Sequence, residues 1–246
     1  MFNLDKYEYF EDLNLGLIKH TPKEKIILDV ACGQGLLGEA FKKNGNEVYG
    51  IDWAEDVTGT NKRRLDHYFS ADITNFKTVS KLLGRRKFDV IIFADILEHI
   101  YDPVGALNFY QKYLKSNGLI YISVPNLVVW NTRFQILGGN FYYWPAGTQD
   151  KTHIRFFTQN NLKKLIKVTN LQFVNLDITP GMARYFTKLG RKFFKSNNRK
   201  FSRRAIMDSN LYRFYVKYIY PFEYFLCKLW PGMFAFQYIA IVRKKR

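Results

Sequence analysis

The sequence predicts an α/β protein built on a doubly wound, mostly parallel sheet. Short apolar, β-branched runs alternate with segments of helical periodicity between residues 26 and 124. The first run, Ile27-Leu28-Asp29-Val30, ends in the turn Cys32-Gly33-Gln34-Gly35, and amphipathic spacing follows at Leu36, Leu37, Ala40 and Phe41. A second run, Val48-Tyr49-Gly50-Ile51, ends in Asp52, seventeen positions after Gly35. Strand, tight loop, helix and strand in this order argue for parallel strands joined by crossover helices.

Residues 1–23 read as a helical or irregular lead-in that ends at Thr21-Pro22. Strands are expected near 26–30, 47–51, 67–69, 88–94 and 119–124. A helix over 104–114 is closed by Lys115-Ser116-Asn117-Gly118, a C-cap signal. Val124-Pro125-Asn126 ends the fifth strand, because proline cannot continue a central ladder. Residues 127–160 show little periodicity but carry Trp130, Phe134, Phe141, Tyr142, Tyr143 and Trp144. They read as a lid or substrate loop over the strand ends; the alternative is a packed aromatic subdomain without ligand contact. A helix over 160–168 and a strand over 171–178 follow. The last strand, Phe234 to Val242, leaves 180–232 as an insertion before it, and 1–246 reads as one domain.

Length suits one such domain with a proper core. Cys32 and Cys227 give no disulfide framework, so a reducing, cytoplasmic setting is expected. Met1 to Phe10 is acidic and unlike a signal peptide, and no apolar run is long enough to span a bilayer. The net charge of +17 is uneven: residues 1–180 hold 22 Lys/Arg and 19 Asp/Glu, whereas residues 181–246 hold 16 and 2. Partners for the basic charge belong to the second part.

The glycines of the first loop let backbone N–H groups approach a ligand beside a helix N-terminus. A carboxylate at the second strand's end, Asp52, suits two ribose hydroxyls, so an adenosine-containing cofactor is expected. Read alone, Asp29 could cap the following turn and Asp52 could form an Asx turn. Gly33, Gly35 and Gly38 loosely match the dinucleotide pattern of an oxidoreductase. However, the Asp29 carboxylate would repel a pyrophosphate and suits a cationic amine or sulfonium. The D-x-x-x-G-x-G run from Asp29 to Gly35, Ala71-Asp72-Ile73, and Phe88 through Asp95 stand in one order. Together they resemble the motifs of class I S-adenosylmethionine-dependent methyltransferases over residues 25–180.

That resemblance implies S-adenosyl-L-methionine as cofactor and a seven-stranded Rossmann-like sheet with an antiparallel last strand. It implies that Asp29 and Ala31 face the methionine amine and that the Gly33-Gln34-Gly35 turn passes under the ligand. Asp52 would take the ribose hydroxyls, Asp72 and Ile73 would border the adenine, and Ala94 would lie beside the methionine part. Trp53 can cover the adenine face.

Methyl transfer from a sulfonium needs alignment and, for an oxygen or nitrogen acceptor, removal of a proton. The histidines are His20, His67, His99 and His153. His153 lies in Asp150-Lys151-Thr152-His153-Ile154-Arg155-Phe156-Phe157-Thr158. This run resembles one common in bacterial methyltransferases of small molecules and of glycan or lipid-linked substrates. His153 is the preferred general base, oriented with the acceptor by Asp150 and Arg155; the bland alternative is that it shapes the loop. His99 is the second catalytic candidate. Asp95, Glu98, His99 and His153 are also similar to the E-x-x-E-H…H metal set of small-RNA 2′-O-methyltransferases and some ubiquinone-pathway O-methyltransferases, with Asp replacing the first Glu. Mg²⁺ or Mn²⁺ would suit these ligands. The alternatives are therefore a metal-assisted RNA 2′-O-methyltransferase and a non-catalytic cofactor-binding partner protein.

Residues 181–232 carry 12 Lys/Arg against Asp208 and Glu223, with eight aromatics from Tyr212 to Phe225. The expected partner is an anionic membrane surface, met through Tyr212, Tyr215, Ile219 and Phe222. RNA binding and a solvated helical cap are the alternatives. The expected whole is a cytoplasmic protein, peripheral at the membrane, that methylates a small-molecule, glycan or lipid-linked acceptor.

Overall fold

The computed structural model describes residues 14–55, 59–181 and 214–245. Seven strands form one sheet: β1 (Ile26–Val30), β2 (Glu47–Asp52), β3 (His67–Ser70), β4 (Phe88–Ala94), β5 (Leu114–Pro125), β6 (Leu171–Pro180) and β7 (Ala235–Lys244). Their order is β3-β2-β1-β4-β5-β7-β6. β7 runs antiparallel to β5 and β6, and every other neighbouring pair is parallel. The expected architecture is the one observed.

The central strands are apolar throughout because both faces are covered. Leu28, Val30, Ile91 and Phe93 enter one apolar layer. Their alternates Ile27, Val90 and Ile92 enter the other, with Leu17, Phe41 and Val48. The described helices are α1 (Leu15–Ile18), α2 (Leu36–Lys42), α3 (Thr60–Arg64), α4 (Phe76–Leu83), α5 (Pro103–Tyr110), α6 (Trp130–Leu137), α7 (Gln159–Val168), α8 (Tyr220–Leu229) and α9 (Pro231–Phe234). Side chains close several starts. Asn75 accepts from the Thr78 amide, Asp102 from Gly105 and Thr158 from Asn161, and Pro103 occupies the first turn of α5.

Three local expectations need correction. The helix expected over 104–114 ends at Tyr110, a 3₁₀ turn covers Gln111–Tyr113, and β5 begins at Leu114. Lys115-Ser116-Asn117-Gly118 is therefore an excursion within β5. Phe88 pairs with Leu114, but Val90 already pairs with Leu119. Lys115 reaches across to Asp89 at 2.7 Å, which holds the excursion against β4. In the 127–160 segment the aromatic-rich start is helix α6, with Phe134 and Leu137 in solvent. Finally, of Tyr215, Ile219 and Phe222, expected as an outward row near the C-terminus, Phe222 alone is exposed. A π-helical turn over Tyr215–Ile219 widens the spacing. It turns Tyr215 inward, where its hydroxyl donates to buried Glu223. Tyr212 and the basic stretch before it lie outside the described residues, as do residues 1–13 of the lead-in.

A single buried carboxylate ties the ends of the chain to the sheet. Asp177 of β6 accepts from Lys19 at 3.1 Å, Lys228 of α8 at 2.8 Å and the Tyr224 hydroxyl at 2.7 Å. His20 Nε2 lies 3.0 Å from it. Burial alone would raise its pKa, but the bonds from Lys228, Tyr224, Ile178 and Lys19 hold it well below the usual carboxylate range. A depressed folded value means stability present above the unfolded pKa of about 4 and lost as pH falls through the folded value. Asp177→Asn should therefore lower stability by about 1.5–3 kcal/mol at pH 7. It should also flatten the acid loss that begins near pH 5 in the parent. Urea melts at pH 7 and pH 3 read both effects; an equal acid loss in parent and variant would contradict this role.

Candidate active site

Strand order reverses between β1 and β4, so the connections leave these two ends in opposite directions and open a crevice there. The cavity holds about 700 Å³, within the range of small-ligand clefts, about 300–1,000 Å³. One wall is the β1–α2 loop with the end of β2: Asp29, Ala31, Gly33, Asp52 and Trp53. Asp72 and Ile73 follow β3, and Ala94 ends β4. The opposite wall has Asp95, Glu98 and His99 after β4, with Asp150 and His153 from the segment between α6 and α7. Of the residues selected from sequence, Gly35, at the start of α2, and Arg155 stand outside this lining.

Internal hydrogen bonds hold the loop in shape. The Ala31 and Cys32 amides donate to the Ile51 carbonyl at 2.8 and 3.2 Å. Ala31, Gly33 and Gly35 have φ of 60°, 54° and 76°, which folds the loop's amides into a concave turn. A Cβ on Gly35 would lie 3.0 Å from Asn61 Oδ1, and Asn61 itself donates to the Gly33 carbonyl at 3.0 Å. Buried Asp52 joins loop and strand: it accepts from the Gly33 amide at 2.9 Å and the Ala54 amide at 3.1 Å. Trp53 beside it is 77% exposed. Asp72 is exposed and accepts from the Thr74 amide and hydroxyl at 2.8 and 2.7 Å.

These features fit an adenosyl sulfonium ligand. Buried Asp29 places a carboxylate where a cationic group can lie, Asp52 offers an acceptor, and Trp53 and Ile73 offer apolar faces.

The far wall is a set of groups made unusual by burial. The Glu98 carboxylate and the His153 imidazole are almost wholly buried, with Oε1 and Nε2 3.9 Å apart. The His99 ring meets the His153 ring edge-to-face at 4.8 Å, and its Nδ1 lies 3.2 Å from the Thr152 carbonyl. The segment before α7 is stapled here, since the amides of Ile154 and Arg155 both donate to the Glu98 carbonyl at 3.0 Å. Asp150 accepts from the Thr152 amide and hydroxyl at 2.9 and 2.8 Å. Arg155 instead turns to the Tyr101 carbonyl, away from the cavity lining. Burial, then the Asp95 and Asp150 charges, push the Glu98 carboxyl well above the usual range. Burial, then His99, push His153 down to about 4.

The metal quartet is incomplete. Ligand atoms of Glu98, His99 and His153 lie within 4.8 Å of one another, but Asp95 is not among them. Its carboxylate accepts from Ser123 at 3.0 Å, Gln237 at 2.7 Å and Asn14 at 3.3 Å, with φ at 51°. Those donors hold it toward β5 and β7. Asn14 and Gln237 also line the cavity and were not selected from sequence. A signal existed for Gln237, the only amide in the apolar run Phe234 to Val242.

At neutral pH both imidazoles should be uncharged. ¹⁵N NMR of the ring nitrogens should give His153 a midpoint of about 4; a midpoint near the ordinary 6.5 would contradict its burial.

Known proteins match this arrangement. A family model described as a methyltransferase domain matches residues 4–176. The ubiquinone biosynthesis O-methyltransferase of Burkholderia vietnamiensis is 26% identical over 181 residues, covering 71% of this chain and 74% of that protein. Its counterpart in Actinobacillus pleuropneumoniae is 27% identical over 186 residues, 71% of this chain and 75% of that one. A SAM-dependent methyltransferase from Archaeoglobus fulgidus superposes with a TM-score of 0.56 at 20% identity, over 93% of this chain and 90% of its own. A Burkholderia thailandensis 1,6-didemethyltoxoflavin-N1-methyltransferase, solved with S-adenosylhomocysteine, gives 0.54 at 15% identity, over 94% and 75%. These structural likenesses speak to the fold.

Proposed function

We propose that this chain, which belongs to the methyltransferase-domain family and is an S-adenosylmethionine-dependent methyltransferase, methylates an oxygen of a small aromatic acceptor. The observation that carries the reading is that one cleft is lined by both Asp52 and buried His153, whose imidazole pKa is pushed down to about 4 by burial. Bound S-adenosylmethionine supplies a methyl group already activated on a sulfonium. Asp29 and Ala31 would border its amino-acid part, Gly33 and Gly35 would shape the turn beneath it, and Ala94 would adjoin its methionine. Asp52 would accept from the ribose hydroxyls, with Asp72, Ile73 and Trp53 around the adenine. His153 Nε2 would take the acceptor's proton, and the Glu98 carboxyl beside it would orient the ring. Names that place relatives in ubiquinone biosynthesis favour an aromatic hydroxyl over the glycan, lipid-linked and RNA acceptors weighed from sequence. The basic charge gathered in residues 181–232 supports a peripheral position at the cytoplasmic membrane surface.

One observation favours a second reading, in which Glu98, His99 and His153 hold a divalent ion. Glu98 Oε2 is buried and meets no hydrogen-bond donor among the described residues. If EDTA abolishes turnover and Mn²⁺ restores it, these three are ligands and His153 is not a free base.

Asp52→Ala should weaken S-adenosylhomocysteine binding by about 1.5–3 kcal/mol, the worth of hydrogen bonds to a charged group. Calorimetry reads this, and unchanged affinity would remove Asp52 from the cofactor site. His153→Asn should lower kcat by about 10²–10⁴ while cofactor affinity holds. A base must be unprotonated to act, so parent turnover should rise with pH through an apparent value near 4 and be level by neutrality. A limb centred near 6.5, or a fully active variant, would assign the proton to another group.

A further inference from the structure

One helix in this fold is apolar on both sides. After Phe214 the π-helical turn Tyr215–Ile219 runs directly into α8. The inward side is buried at Tyr215, Glu223 and Cys227. On the outward side Phe214, Tyr218, Phe222, Phe225 and Leu229 recur every three or four residues, and each is more than half exposed. A helix apolar all round is ordinarily covered on all sides, and a contiguous exposed patch of this kind marks an interaction surface. Trp130 at the start of α6 and Leu226 of α8 line one small pocket, so the two helices meet there. α6 adds Phe134 and Leu137, both more than half exposed.

Charge indicates what covers this face. In residues 214–234 the exposed charged groups are Lys217 and Lys228, the latter paired with Asp177, while the acid Glu223 is buried against Tyr215. Residues 126–149 contain Arg133 and no Asp or Glu. The stretch 181–213 adds ten Lys or Arg against Asp208. Aromatic and leucine side chains rimmed by cations, with no exposed acid, suit a phospholipid interface. There apolar groups enter the acyl boundary and cations meet anionic headgroups. No helix among the described residues is long and apolar enough to cross a membrane, so this face would rest on the bilayer.

We propose that the Phe214–Leu229 row, with Phe134 and Leu137, is the face by which the protein docks on an anionic bilayer. This rests on the peripheral reading above and replaces the row expected from sequence. The helix that carries the face is also linked to the cleft. α8 passes through α9 into β7, where Phe236 and Gln237 line the cleft. Buried Asn126 clasps that connection, donating to the carbonyls of Ala235, Gly232 and Pro231 at 2.8, 3.3 and 3.4 Å. A lipid-soluble acceptor would thus reach the cleft from the surface on which the protein lies.

The test is vesicle flotation of the full chain, comparing the parent with the triple variant Phe222→Ser/Phe225→Ser/Leu229→Ser. All three side chains are exposed, and S-adenosylhomocysteine affinity reports that the variant is folded. The parent should float with vesicles of phosphatidylcholine plus phosphatidylglycerol, and weakly with phosphatidylcholine alone. The triple variant should partition at least about tenfold less, because the apolar area it would bury is gone. Should parent and variant float equally, the basic stretch carries the binding: the peripheral reading stands and this face is wrong. A parent that never floats overturns both. If the parent is a dimer that the triple variant splits, and neither floats, the face joins two copies instead.

Discussion

The reversal of strand order between β1 and β4 is the constraint on which the site depends. Adjacent parallel strands whose connections leave in opposite directions cannot cover their own carboxyl ends. The crevice they open is about 700 Å³. One wall is set by rigid strand ends, with Asp29 on β1 and Ala31 just after it, Asp52 on β2, and Ala94 on β4 with Asp95 just after it, while Asp150 and His153 come from the segment between β5 and α7. Asp52 then converts two of these ends into one unit. By accepting the Gly33 amide it holds the loop of β1 against the tip of β2. The only non-glycine residues of positive φ at these strand ends, Ala31 and Asp95, flank the reversal on its two sides. Such conformations cost about 1–3 kcal/mol each and persist where surrounding bonds enforce them. Here those bonds are the Ile51 carbonyl for Ala31 and Ser123 for the Asp95 amide.

Burial gives the cleft two chemically different walls. Along β1 and β2, carboxylates are presented beside backbone amides, which suits a ligand that carries a cation and hydroxyls. Along the β4 turn and the segment carrying His153, desolvation drives Glu98 toward its neutral acid and both histidines toward neutral bases. In the proposed transfer His153 would take the hydroxyl proton and become an imidazolium as the acceptor oxygen takes the methyl group and the sulfonium becomes a thioether. Asp95 contributes from the side: held by Ser123, Gln237 and Asn14, it adds a fixed charge that raises Glu98 further.

Much of this was readable in the chain, and the unread parts have physical reasons. β1, β2 and β4 are legible because strands buried on both faces are continuous apolar runs, and Asp29, Gly33 and Asp52 punctuate their ends. His153 and Glu98 are legible as residue types, but their 3.9 Å approach depends on Ile154 and Arg155 being stapled to the Glu98 carbonyl. The Asp95 network draws on Asn14, Ser123 and Gln237, three distant segments with no local pattern between them. Helix α6 is hidden because several of its apolar residues face solvent, so no buried stripe advertises it. The π turn at Tyr215–Ile219 defeats any reading at a fixed helical period, and it moves the outward row from Tyr215 to Phe214 and Tyr218.

The central claim is that the groups across this cleft transfer a methyl group to an acceptor oxygen. Incubation with S-adenosylmethionine labelled with ¹³C in its methyl group, and with an alkyl-chain catechol as acceptor, addresses it directly. ¹³C NMR and mass spectrometry of the extracted product should show a single labelled methoxy carbon. Label on nitrogen or on ring carbon of any accepted substrate would contradict oxygen transfer. Cofactor that binds tightly yet keeps its label against every aromatic hydroxyl offered would contradict turnover altogether.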